Sequence, residues 1–288
     1  MKQYRIVLGI ELGRDFLRLA EVEHRDGEFF LSRVAEGKLE TMQVEDLVKV
    51  LSLLISQESI MSRIASVAID TSLMARDTIE IDSDLAPDEI SRFLRGEIDF
   101  HNKFSGQAFI PAYEITKAPV DPYKEVFYAA MDKQFLVTLR DACTRCGLDL
   151  QFVDLDHSCS ELSINRLEHG LKNYILVTVK PGQVEASFCK NGERIFYRYA
   201  DYSGEPFYFI TKMSQDLEMQ AKVDADKIFV TGISADNFLI DLLQKTSDKR
   251  YELLDPVKEL QLSAVASDNK ELETHPNHYS HVIGAALK

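Results

Sequence analysis

Glu11, Gly13 and Arg18 stand in GIELGRDFLRLAEV, residues 9 to 22, an apolar strand, an acid, a glycine turn and a second strand. Some folds cradle a nucleotide phosphate with such a layout. The acid organises Mg²⁺, the turn aims backbone N–H groups at phosphate and a cation closes from beyond. Here the turn carries Arg14, Asp15 and Phe16, where small residues would let the backbone approach. Asp15 also sets a negative charge where phosphate would sit. Two other constellations invite chemistry. Cys143 and Cys146 form a CxxC inside a predicted helix, with Cys159 and His157 as the nearest further ligands and Cys189 on a distant strand. That spacing matches no usual zinc site, so two core-facing thiols are expected. His275, His278 and His281 could share a helical face, and a solvated helix start is expected. There is no Gly-x-Ser-x-Gly, HExxH or Walker loop, and no catalytic set is expected.

Composition narrows the classes. The 288 residues carry 33 Lys and Arg against 47 Asp and Glu, a net charge of −14. Such a surface repels nucleic acid and anionic lipid, and no basic patch offsets it. The longest apolar run, LVKVLSLLI, falls far short of the roughly 20 residues that a spanning helix needs. Direct membrane insertion is therefore not expected, and any membrane link must come through a partner. Four cysteines in a chain of this length suit a reduced, cytoplasmic setting.

The elements repeat. QYRIVLGI, FLRLAEV and FFLSRVAE read as a meander, with a turn signal at HRDGE, before the helix VEDLVKVLSLLISQ and the buried strand SVAID. The plan recurs at YILVTVKPGQVEASFC, KNGER and IFYRYAD, aligning Gly13 with Gly182. Between them lie an extended segment, a helix opened by Pro87, two strands, a helix closed by Gly147, and LDLQFVD. Two halves on one plan imply a duplicated α/β fold with a cleft between.

That duplicated plan resembles the actin-like fold, and within it the PilM family of type IV pilus assembly proteins. The resemblance covers nearly the whole chain. YAAMDKQFLVTLRDACTRCGLDLQFVDLD is similar to a family stretch through Ala129, Ala130, Gly147, Leu148, Val153 and Asp154. EIDFHNKF matches at Glu97 and Phe104 and departs at Ile98, Asn102 and Lys103, and IGAALK matches at Gly284 and Ala285. The resemblance implies two RNase H-like halves. The first spans 1–76, is completed by 154–172 and holds an inserted α/β subdomain at 77–153. The second spans 173–288, with a C-terminal helix returning to the first.

It also gives the nucleotide loops their reference. Glu11 stands for the family's aspartate and Arg18 for its lysine. Lys180, before Pro181 and Gly182, replaces the second metal-organising acid, and Pro181 removes a backbone donor. Gly232 is followed by Ile233 where relatives have paired glycines, which narrows the approach of a ring. Only YSGEP joins IFYRYAD to the next helix, where relatives carry a lid subdomain. A remnant site without ATP or Mg²⁺ follows. The implied role is a cytoplasmic, non-catalytic scaffold. Its implied partner is the cytoplasmic segment of a PilN-type single-span membrane protein, bound beside the inserted subdomain. Phe100, Phe104, Phe109 and Ile110 would supply the apolar anchors. A type II secretion component, an active ATPase or kinase relative, and homodimerisation stay open.

Overall fold

The computed structural model describes residues 4–101, 108–120, 122–168 and 170–288, without the side chains of 100, 101 and 116–120. Strands β1 (Tyr4–Leu12), β2 (Phe16–Arg25) and β3 (Glu28–Lys38) form the first meander, turned between β2 and β3 by Asp26 and Gly27, both at positive φ. Helix α1 (Val44–Gln57) then returns the chain to β4 (Ile64–Ile69), parallel to β1. Strand β1 is buried on both faces, as its near-continuous apolar run requires.

A smaller layer follows, with β5 (Ala75–Asp82), α2 (Pro87–His101), β6 (Phe109–Val120) and β7 (Tyr123–Asp132) in the sheet order β5-β7-β6. Ile90, Leu94 and Ile98 recur at helical spacing on α2 and close over Ile81, Val126, Tyr128 and Ala130. Helix α3 (Lys133–Arg145) opens where the Asp132 carboxylate accepts from the N–H groups of Gln134 and Phe135. It packs Leu139, Ala142 and Cys143 into the core of the first sheet. Strand β8 (Asp149–Leu155) pairs with β4. The insertion therefore closes at Asp132 and not at 153, because α3 and β8 bury their apolar faces in the first half.

Helix α4 (Asp156–Leu167) leads to β9 (Asn173–Lys180), β10 (Gln183–Lys190) and β11 (Glu193–Asp201), the second meander. Residues 202–206 join β11 to α5 (Phe207–Ala221), followed by β12 (Lys227–Thr231), α6 (Asn237–Thr246) and β13 (Tyr251–Leu253). The order is β11-β10-β9-β12-β13. Strand β14 (Gln261–Leu262) then joins β3, ahead of α7 (Ala264–Ser267), α8 (Lys270–Thr274) and α9 (Ser280–Ala286). The return to the first half so begins at β14, which covers the edge of β3. The two strands and two short helices between 251 and 274 were not expected from the sequence.

Two helices join the halves. Helix α4 packs Ile164 on Tyr174, Leu176 and Phe229 of the second sheet. Helix α9 packs Val282, Ile283 and Ala286 on Ala20 and Val22 of the first. They meet where Gly284 leaves no space: a Cβ there would lie 1.8 Å from the Cys159 carbonyl oxygen. On the far side of α9, a Cβ on Gly9 of β1 would lie 2.0 Å from the Val282 carbonyl oxygen. No helix among the described residues is long and apolar enough to cross a membrane.

Candidate functional site

The three turns singled out in the sequence meet at one cleft. Its walls include Arg14, Asp15 and Phe16 from the β1–β2 turn, Lys180, Pro181 and Gly182 from the β9–β10 turn, and Ile233 beyond β12, around about 390 Å³. The Phe16 ring lies over Gly13, where an added Cβ would meet it at 2.1 Å. Gly182 and Gly232 hold φ of +75° and +98°, and the backbone of Gly232 presses on that of Val179. The turns keep their shape, while Phe16 and Ile233 take the space that small residues would leave.

Lys180 forms the cleft floor and is buried. Its ammonium lies 2.6 Å from Asp156 Oδ2, 3.0 Å from Asp70 Oδ1, 3.0 Å from Glu185 Oε1 and 2.6 Å from Thr71 Oγ1. Glu185 also accepts from the hydroxyls of Thr71 and Tyr197 and lies 3.6 Å from Arg76. Burial opposes the charge on Lys180, but Asp156, Glu185 and Asp70 hold it well above the usual lysine range. Glu185 is held well below the carboxylate range: burial opposes its charge, and Lys180 and Arg76 prevail. Asp156 is pushed up to about 6 by burial, against the pull of Lys180.

Glu11 and Arg18 sit behind the cleft, both buried. Arg18 donates to Glu36 at 2.6 Å and to the His278 carbonyl at 3.3 Å, and its NH1 lies 3.5 Å from Glu11. Its guanidinium lies over the rings of Phe16 and Tyr279, at 4.5 and 5.8 Å. The cation that would close on phosphate is therefore already engaged by Glu36, Glu11 and the His278 carbonyl. Glu11 also takes His281 Nδ1 at 2.9 Å. His281 is thus no part of a solvated helix start. Its acid partner lies on β1, beyond the reach of any local pattern. Only His275 and His278 stack, at 4.9 Å.

These contacts decide whether the residues fit Mg²⁺ and a nucleotide phosphate. Hard cations need carboxylate oxygens free to ligate. The oxygens that face the cleft already accept from Lys180, and Glu11 is held by Arg18 and His281. The residues do not fit the metal. Among the described residues no group of three or more His, Cys, Asp or Glu is placed to hold one while Lys180 stands between the acids. Cys143 is buried, its thiol pushed up to about 12 by burial, and Cys146 lies 3.4 Å from the Ser52 hydroxyl.

Sequence reasoning missed Asp70, Asp156, Glu161, Glu185 and Arg194. One signal was available, since Glu185 is a charged residue between Val184 and Ala186 in the strand QVEASFC. Arg194 donates to Glu161 at 2.5 and 2.9 Å, to Ser158 at 2.6 Å and to Glu114 at 3.3 Å, joining β11, α4 and β6.

His157 is fully buried at the start of α4, with Nδ1 2.8 Å from Thr178 Oγ1 and Nε2 2.9 Å from Ser187 Oγ. Burial pushes its pKa down to about 4. As pH falls from about 6.5 to 4, the unfolded chain takes up a proton that the folded chain refuses, and roughly 3 kcal/mol is lost. Asp156 runs the other way. The folded chain keeps its proton up to about 6, so stability falls as pH rises through that window, by a similar amount. Between pH 4 and 6 the contributions of His157 and Asp156 oppose and nearly cancel. His157→Asn should tilt the curve, relative to the wild type, toward falling stability as pH rises there, read by urea denaturation across pH. A variant curve parallel to the wild type would refute the opposition.

The proposed partner anchors separate. Phe104 lies outside the described residues, as does the side chain of Phe100. Phe109 packs against the core under α2, which corrects its assignment to a groove. Ile110 is 43% exposed and points to the other face of β6, with Ala112 and Glu114 in step. That face borders a groove of about 180 Å³ between β6 and β8, lined by Ala112, Glu114, Phe127, Val153, Leu155 and Arg194.

A solved PilM–PilN type IV pilus biogenesis complex is similar to the chain over 98% of its length and 97% of that structure, at 14% identity and a TM-score of 0.72. A *Bacteroides thetaiotaomicron* protein with an actin-like ATPase fold is similar over 94% and 95%, at 14% identity and a TM-score of 0.52. The cytoplasmic domain of EpsL, an inner-membrane component of the *Vibrio cholerae* type II secretion system, follows at 12% identity and 0.47 over 98% and 94%. The chain has the actin-like fold, with the small α/β layer inserted in its first half and no lid subdomain in its second. No family model matches the chain, and no curated protein does.

Proposed function

We propose that the chain is a non-catalytic scaffold of a type IV pilus or related secretion machine, working on the cytoplasmic face of the inner membrane. It holds the cytoplasmic segment of a PilN-type single-span protein and does not use ATP. One observation carries this reading. The cleft acids are taken by Lys180, while the β6–β8 groove stays open between strands that each end their own sheet. An extended peptide can pair with such an edge and seat side chains between the walls. The likeness to a PilM bound to PilN supplies the class of partner.

The test is a titration with the cytoplasmic segment of a PilN-type single-span protein. Ala112 is exposed in the groove, so Ala112→Arg should weaken binding at least tenfold, about 1.4 kcal/mol. The melting temperature should not change. Ile233→Arg, at the cleft mouth, should bind as the wild type does. Loss of binding with the cleft variant and not the groove variant would refute the placement.

A further inference from the structure

We propose that Lys180 is a resident cation that clamps the two halves together, taking the position of a metal ion at the cleft floor. The inference rests on reading the cleft as ligand-free and goes beyond it, because it assigns the lysine a task. Three observations carry it. The ammonium sits in a cage of oxygen only, from Asp70, Thr71, Asp156 and Glu185, all within 3.0 Å. Oxygen-only cages rich in carboxylate are what hard divalent cations select. The cage spans the halves: Asp70 and Thr71 follow β4, Asp156 opens α4, and Lys180 and Glu185 belong to the second sheet. Lys180, Thr71, Asp156 and Glu185 are buried and Asp70 is half-buried, so losing the ammonium leaves carboxylates without full hydration or a counter-charge.

Lys180→Ala therefore empties a preformed acidic cage. The variant is expected to melt roughly ten degrees lower in the absence of divalent ions. Millimolar Ca²⁺ or Mg²⁺ should return a saturable part of that loss while leaving the wild type unmoved. Amide exchange across Thr71–Leu73 should quicken in the variant and slow again with the ion. If Lys180→Ala does not fold, Lys180→Ala with Asp156→Asn removes one carboxylate. It should fold and show a weaker response to the same ions. A variant as stable as the wild type, or one indifferent to both ions, overturns the clamp. So does a wild type stabilised by the ions alone. Stabilisation of the wild type by ATP with Mg²⁺, and not by Mg²⁺ alone, would instead overturn the ligand-free reading.

Discussion

Gly284→Ala is expected to cost at least about 3 kcal/mol, although it adds a single methyl group. The methyl carbon would lie 1.8 Å from the Cys159 carbonyl oxygen, so α9 and α4 must separate along their contact. Neither can move freely. Helix α9 is held on its other face by Gly9, and α4 is tied to the second sheet through His157, Glu161 and Arg194. The loss is therefore felt in both halves. Gly96 is the control, a helical glycine of α2 with nothing within 4 Å of an added Cβ. Gly96→Ala should stabilise by roughly 0.5–1 kcal/mol through helix propensity. Denaturant titration of the two variants separates the effects. If Gly284→Ala costs no more than a surface substitution, the two helices do not meet as closely as described.

Arg194→Met should destabilise by about 3–5 kcal/mol. The guanidinium and the Glu161 carboxylate are both buried, and removing one leaves the other charged without its counter-ion. Burial opposes the charge on Glu161, yet Arg194 holds its carboxyl below the usual range, so the pair is ionised as a unit. Arg194→Met with Glu161→Gln removes both charges and should recover a large part of the loss. Equal costs for the single and double variants would show that Arg194 acts through packing on Phe127 and Tyr197, which lie 5.5 and 5.6 Å from its guanidinium. The arginine also touches Glu114 of β6, so the single variant should loosen the inserted layer beside the groove.

Much of this architecture was legible in the sequence because local rules and tertiary packing agreed. The Asp26-Gly27 turn set the first hairpin, Pro87 and Gly147 marked helix ends, and the repeat around Gly13 and Gly182 gave two halves with a cleft between. The boundary at 153 was not legible. A strand's residues show that one face is buried, but not which sheet it will join, and β8 pairs with β4 across the whole insertion. The cleft was half legible. Lys180 announced that a cation stood in the turn, but two of its three acids, Asp70 and Asp156, come from elements distant in sequence. His281 shows the same limit, since its carboxylate lies 270 residues earlier. Phe109 looked like an anchor for a partner because an aromatic on a strand reads alike whether it faces a groove or a small core.

The claim that the cleft is closed by its own side chains is tested most directly by titrating the wild-type chain with ATP and Mg²⁺ together, followed by calorimetry and thermal melting. The cage around Lys180 predicts no binding heat and an unmoved melting temperature. Ligand at 100 times its dissociation constant would add roughly 2.7 kcal/mol, a rise of several degrees. Such a rise would contradict the account and restore an ATPase.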